Sequence, residues 1–121
     1  MTVERVLVTG SREWTNADVI REALSPFLPG TLVAHGAARG ADTLAGVIAK
    51  GLYLKVERYP VDTKVDGPWP GAGTKRNTRM LADFKPTVCL AFPTEESRGT
   101  WDMVVKCRAA GVPVRVFKTP A

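Results

Sequence analysis

Three segments of the chain collect glycine, arginine and small hydroxyl residues in the way a phosphate site requires. The first is Thr9-Gly10-Ser11-Arg12. Gly10 permits close backbone approach, Ser11 offers a hydroxyl and Arg12 a permanent cation. Helix N-terminal amides would add to the attraction. The plain alternative is a Gly-Ser turn with a solvated arginine. The second segment is His35-Gly36-Ala37-Ala38-Arg39-Gly40-Ala41-Asp42. Gly36, Arg39 and Gly40 suit an anion nest at a helix start. The spacing is neither the dinucleotide fingerprint nor a Walker A loop, because no Gly-Lys-Ser/Thr follows. Asp42 either caps the helix, the commoner use of an acid there, or accepts from a ribose hydroxyl. His35, alone at a strand end, suits a hydrogen-bonded structural role better than a base.

The third segment is Pro93-Thr94-Glu95-Glu96-Ser97-Arg98-Gly99-Thr100, followed by Trp101-Asp102. Arg98 adds a cation, Gly99 lets a backbone approach, and Thr100 can cap the next helix while its amides face an anion. Asp102, one turn in, is a general-base or ribose-binding candidate, or simply an acid complementing the helix dipole. Glu95 and Glu96 repel phosphate and are expected to point to solvent or toward a sugar. A fourth group, Arg76-Asn77, opens a helix after Gly71-Ala72-Gly73, with Lys75 and Arg79 within one turn. Arg76 either clamps a phosphate bidentately or is a solvated helix-start charge. Trp14, Trp69 and Trp101 are available for base stacking, with core packing at least as good a reading of Trp14.

The elements that must position these residues alternate along the chain. Val6-Leu7-Val8 reads as a buried strand. Thr15 with Asp18 resembles a capping box. Val19, Ile20, Ala23, Leu24 and Phe27 then recur at helical spacing. Thr31 to His35 is a second strand, and a second helix runs from about Ala41 to Gly51. Tyr53 to Tyr59 is a third strand. Residues 61–74 read as a long loop rich in Pro and Gly. A third helix starts near Lys75, a fourth strand covers Thr87 to Phe92, a fourth helix runs from about Gly99 to Ala110, and a last strand covers Val112 to Phe117. This alternation predicts a single α/β domain over residues 1–121. It is a three-layer Rossmann-like architecture with a five-stranded, mainly parallel sheet in the order 3-2-1-4-5 and helices on both faces. In such sheets ligands bind beyond the carboxyl ends of the strands at the switch point, here between strands one and four. The three Gly- and Arg-rich loops converge there.

Composition bounds the function classes. The chain has 121 residues, 45% apolar and 24% charged, with a formal net charge of +5. That is one ordinary globular domain. No apolar run approaches the roughly 20 residues of a membrane span, and the first residues show no signal-peptide pattern. The basic balance favours phosphates on nucleotides or nucleic acid, but the Lys and Arg are spread rather than blocked. Cys89 and Cys107 read as packed thiols in a reducing cytoplasm, and one His with no Cys/His cluster argues against a metal site. No cofactor is implied.

The segments Val8-Thr9-Gly10-Ser11-Arg12, His35 to Asp42, Arg76-Asn77-Thr78-Arg79-Met80 and Ser97-Arg98-Gly99-Thr100-Trp101-Asp102-Met103 together resemble the YspA-like branch of the SLOG superfamily, over nearly the whole chain. Small proteins of this type occur in bacteria and phages. The superfamily also holds the LOG phosphoribohydrolases, the DprA single-strand DNA binders and ligand-sensing domains of nucleotide-based conflict systems. The resemblance implies a Rossmann-like domain that binds a nucleotide or nucleotide-derived small molecule, and a homodimer through the helices beginning near Lys75 and Gly99. LOG enzymes cleave the N-glycosidic bond of nucleoside 5′-monophosphates with an Arg in R-K-x-x-M and a Glu in P-G-G-x-G-T-x-x-E. Arg76 with Met80 is similar to the first motif, and Pro93, Gly99 and Thr100 to parts of the second. Thr94-Glu95 replaces the Gly-Gly, and Met103 stands where the Glu would fall, with Asp102 one position early. Binding is therefore the leading expectation. Hydrolysis with Arg76 and Asp102 as catalytic residues is the second, and single-stranded nucleic acid is the less favoured partner.

Overall fold

A computed structural model describes residues 3–118. Five strands form one sheet: β1 (Arg5–Gly10), β2 (Leu32–His35), β3 (Lys55–Arg58), β4 (Val88–Phe92) and β5 (Val114–Val116). Their order is β3-β2-β1-β4-β5, and every pair is parallel. The expected order is therefore observed, and the sheet is wholly rather than mainly parallel. The central position of β1 and β4 explains why both read as unbroken apolar runs: each is covered on both faces.

The strand alternation assigns the layers. Val6 and Val8 of β1, with Leu90 and Phe92 of β4, face one side. They pack on Ile20 and Leu24 of α1 (Ala17–Leu24) and on Ala45, Ile48 and Ala49 of α2 (Ala41–Gly51). Leu7 and Cys89 face the other side, against Met80 and Phe84 of α4 (Ala72–Phe84) and Met103 and Cys107 of α5 (Arg98–Ala109). Neighbouring residues of one strand thus serve opposite layers. Cys89 and Cys107 are free thiols buried in that second layer. Trp14 is buried, meets Phe92 edge-on at 5.4 Å between ring centroids, and donates its indole N–H to the Asn16 carbonyl. It is a packing residue.

Three local expectations are corrected. The cap of α1 is Asn16, whose Oδ1 accepts from Val19 N at 3.3 Å, rather than Thr15. The stretch that reads as a loop contains a single helical turn, α3 (Thr63–Asp66), capped by Asp62. Helix α4 begins at Ala72 instead of near Lys75, so Gly73 and Thr74 belong to its first turn. Among the described residues no helix is long and apolar enough to cross a membrane.

Candidate functional site

A cavity of about 530 Å³ opens where the carboxyl ends of β1 and β4 diverge. That volume is typical of small-molecule sites. Its wall comprises Thr9 to Glu13 after β1, Ala38 and Asp42 around the start of α2, Trp69 and Pro70 ahead of α4, Gly73, Thr74, Arg76 and Asn77 of α4, and Glu96 to Thr100 leading into α5. The three loops and the Arg76-Asn77 pair therefore meet. Of the residues singled out from sequence, Gly10, Ser11, Arg12, Asp42, Arg76, Asn77, Arg98, Gly99 and Thr100 line the cavity. Gly36, Arg39, Gly40 and Asp102 lie outside its wall.

Glycines let these loops dock. Gly10 seats against Ala41, and a Cβ there would overlap the alanine methyl. Gly40, at φ +76°, lies against the Ser11 and Arg12 carbonyls where no side chain fits. The Ala41 amide donates to the Ser11 carbonyl at 3.1 Å, and the Ser11 amide donates to Phe92 at 2.9 Å. The Ser11 hydroxyl is 2.6 Å from the Thr94 hydroxyl and accepts from the Glu13 amide at 3.0 Å. Ser11 thus fastens the loops after β1 and β4 while also lining the cavity. Gly36 and Gly40 likewise build the site from behind.

The arginines divide by what they touch. Arg12 and Arg98 are exposed on the wall and take part in none of the ion pairs among the described residues. Arg39 is not on the wall but pairs at 3.0 Å with Glu13, which is, both side chains well exposed. Arg79 grips Asp66 through two bonds of 2.9 Å, which ties the α3 turn to α4. Arg76 donates through Nη1 to the carbonyls of Gly36 and Tyr59, and through Nε to Asn77 Oδ1. Much of its donor capacity holds the loop after β2 against α4, while Arg76 also lines the cavity. Burial lowers the Arg76 pKa, while Asp42 and Asp66 oppose that shift.

Two helix starts face the cavity unfinished. Ser97 precedes α5 but caps nothing; its Oγ accepts from the Thr94 amide at 2.8 Å instead. Thr100, the expected cap, is buried inside the first turn. The first helical bond of α5 runs from the Trp101 amide to Ser97, leaving the three amides before it without that partner. Helix α4 starts after Gly71, also with no side-chain cap. Neither helix has an acid in its first turn. By contrast α1, away from the cavity, has both a cap and Asp18. Uncapped, acid-free N-termini are where anions are best held.

The acids are placed unlike the expectation. Asp42 does not cap its own helix: Oδ2 accepts from the Gly36 amide at 3.1 Å and the Ala38 amide at 3.3 Å, and so holds the preceding loop. Oδ1 is buried without a partner. Burial pushes the Asp42 carboxyl up to about 6, against the pull of these amides and of Arg76. His35 is buried beside Gly46, and its Nδ1 accepts from the Ala37 amide at 2.9 Å. Desolvation, aided by Arg58 and Arg76, pushes it down to about 4, so it is a neutral structural group, as its isolation in the sequence suggests. Asp102 stands behind Asn77. Its Oδ2 accepts from Asn77 Nδ2 at 3.0 Å and from Lys106 Nζ at 2.8 Å. Asn77 lines the cavity and Asp102 does not. Met103 is buried in the core. Glu95 and Glu96 are exposed, and Glu96 sits on the rim.

On the α4 side of the wall, sequence reasoning singled out Arg76 and Asn77 and offered Trp69 for stacking, but missed Pro70 and Thr74. Trp69, 54% exposed, lies beside Gly73 and presents an aromatic surface to the cavity. The Pro-Trp-Pro-Gly run is its only local signal.

Comparison with known proteins agrees with this architecture. The family model described as YAcAr, the YspA, cpYpsA-related SLOG family, matches residues 4–65. That span holds the loops after β1 and β2 but neither Arg76 nor the start of α5. The "Gene 61 protein" of Mycobacterium phage D29 is 39% identical over 126 residues, covering 95% of this chain and 97% of that protein. Among solved structures, the DNA processing protein A (DprA) of Streptococcus pneumoniae superimposes with a TM-score of 0.53 over 93% of this chain. Identity is 15% and the chain spans 58% of that structure, so this likeness is one of fold. The chain belongs to the YspA, cpYpsA-related SLOG family.

Proposed function

We propose that the protein binds a nucleotide-derived, phosphate-bearing small molecule in the cavity at the carboxyl edge of the sheet. One observation carries this reading: Arg12, Arg98 and the uncapped first turns of α4 and α5 all face the same cavity. Each alone is a common surface feature. Together they present open amides and two cations without an ion pair among the described residues to one volume, an arrangement that favours an anion. Family membership and the DprA-like fold support a role related to nucleotides or nucleic acid. Trp69 on the wall suits the flat base of such a ligand.

Hydrolysis is the weaker reading, because Asp102 is held by Asn77 and Lys106 away from the cavity. The deciding experiment is mass spectrometry of what co-purifies with the native protein, followed by calorimetric titration with nucleoside monophosphates at two salt concentrations. Saturable binding with one ligand per site and weak salt dependence supports the proposal. Binding only to oligonucleotide, collapsing steeply with salt, would instead indicate a single-strand binder. Release of free base would make the protein a phosphoribohydrolase.

A further inference from the structure

A buried carboxylate oxygen with nothing bonded to it calls for an explanation. Asp42 is 4% exposed, sits on the cavity wall, and has Oδ2 fully occupied by the Gly36 and Ala38 amides. Oδ1 has no partner. Leaving such an atom unpaired costs about 1–3 kcal/mol, so a natural site retains one where something supplies the missing donor. The nearby guanidiniums do not: Arg76 is bonded to Gly36, Tyr59 and Asn77, and Arg12 makes no ion pair with Asp42.

The position of Asp42 limits what that donor is. The preceding residue, Ala41, seats against Gly10 and donates its amide to the Ser11 carbonyl. The carboxyl therefore stands one residue from the loop that carries Arg12. A carboxylate repels phosphate itself. It accepts from the group beside the phosphate, and in a nucleoside 5′-phosphate that group is the sugar. We propose that Asp42 Oδ1 accepts a hydrogen bond from a sugar hydroxyl of the ligand, which makes Asp42 the residue that selects ribose-bearing nucleotides over those lacking sugar hydroxyls. This rests on the phosphate-ligand reading above.

The Asp42→Asn variant tests the assignment with little structural change. The amide oxygen still accepts from Gly36 and Ala38, while the orphan position becomes an N–H donor facing a donor. Wild type and D42N are titrated by calorimetry with AMP, GMP, CMP and UMP, with the 2′,3′-dideoxy forms of the same bases, and with inorganic phosphate. In the wild type, the ribose form is expected to bind roughly 10- to 100-fold tighter than its dideoxy form, the range for a hydrogen bond to a charged group. In D42N the two forms should bind within about 3-fold of one another, well below one such bond. Equal affinities in the wild type, or a preference that survives in D42N, would overturn the assignment, the unpaired oxygen then being met by water. Should D42N not fold, the wild-type comparison decides alone. A protein that binds phosphate or dideoxynucleotides without preference loses this inference but keeps the phosphate site. One that binds none of these probes loses both.

Discussion

Arg76 fills the space that a side chain at Gly36 would need. A Cβ on Gly36 would stand 2.6 Å from both Cζ and Nη1 of Arg76 and 2.8 Å from Nη2. The guanidinium is held there by bonds to the Gly36 and Tyr59 carbonyls, so it cannot swing aside without losing them. Gly36→Ala is therefore expected to destabilise the protein by about 1–3 kcal/mol, the usual cost of overpacking. In an Arg76→Ala background the same change should cost much less. A double-mutant cycle read by urea denaturation measures this, and additive effects would show that the two residues do not compete for one space.

The wall arginines and Arg39 should behave differently. Arg12→Ala and Arg98→Ala are each expected to weaken nucleotide binding by about 1.5–3 kcal/mol. Arg39 pairs with Glu13 in solvent, so Arg39→Ala should change stability by no more than about 0.5 kcal/mol and leave affinity close to wild type. Calorimetric titration of the three variants checks this. An Arg39 effect as large as that of Arg12 would place the ligand outside the cavity.

Asp42 and His35 impose opposite pH slopes on stability. The folded state binds the Asp42 proton more tightly than the unfolded chain, with a pKa of about 6 against 3.8. That contribution is full below about pH 4 and is lost as pH rises through 6. His35 is the reverse, at about 4 against 6.5, so its contribution is full above 6.5 and is lost as pH falls through 4. Each shift corresponds to about 3 kcal/mol at most, and over the shared window they largely cancel. Asp42→Asn removes one of them. Its stability should therefore rise with pH between 4 and 6.5 by up to about 3 kcal/mol more than wild type. Denaturant titrations at several pH values test this, and parallel profiles would refute it.

Asp66 is buried with Arg79 on both its oxygens and with the Asp62 amide on Oδ2. The Arg79 bonds hold its carboxyl down at about 2 against 3.8. The stability it gives is present above the unfolded value and is lost only as pH falls toward 2. Arg79→Met leaves that charge buried without its partner and should cost about 3 kcal/mol. Thermal unfolding measures the loss, and a cost below about 1 kcal/mol, the level of an exposed pair, would show the bridge to be dispensable.

The strand order and the convergence of the loops were legible in the sequence because both follow from local patterns. Apolar runs mark β1, which ends at Gly10, and β4, which Pro93 stops, and right-handed crossovers leave few ways to connect them. What each site residue does was less legible, because partners are set by the tertiary fold. Arg76 finds Gly36 forty residues away, and Arg39 finds Glu13 twenty-six away. Asp42 looks like a helix cap in one dimension but holds the loop before it in three. The start of α4 was hidden by Gly71 and Gly73, residues of poor helix propensity, and α3 is a single turn too short to show a period.

The open starts of α4 and α5 mean that the fold is least complete where a ligand would sit. An anion there would supply the acceptors that Asn16 supplies to α1 by itself. Occupied and empty states would then differ in how firmly Gly71–Gly73 and Ser97–Gly99 are held, with every strand in the same place. Such a protein could report its occupancy through local stiffness, to any molecule that touches the outer faces of those two helices, without a change of fold.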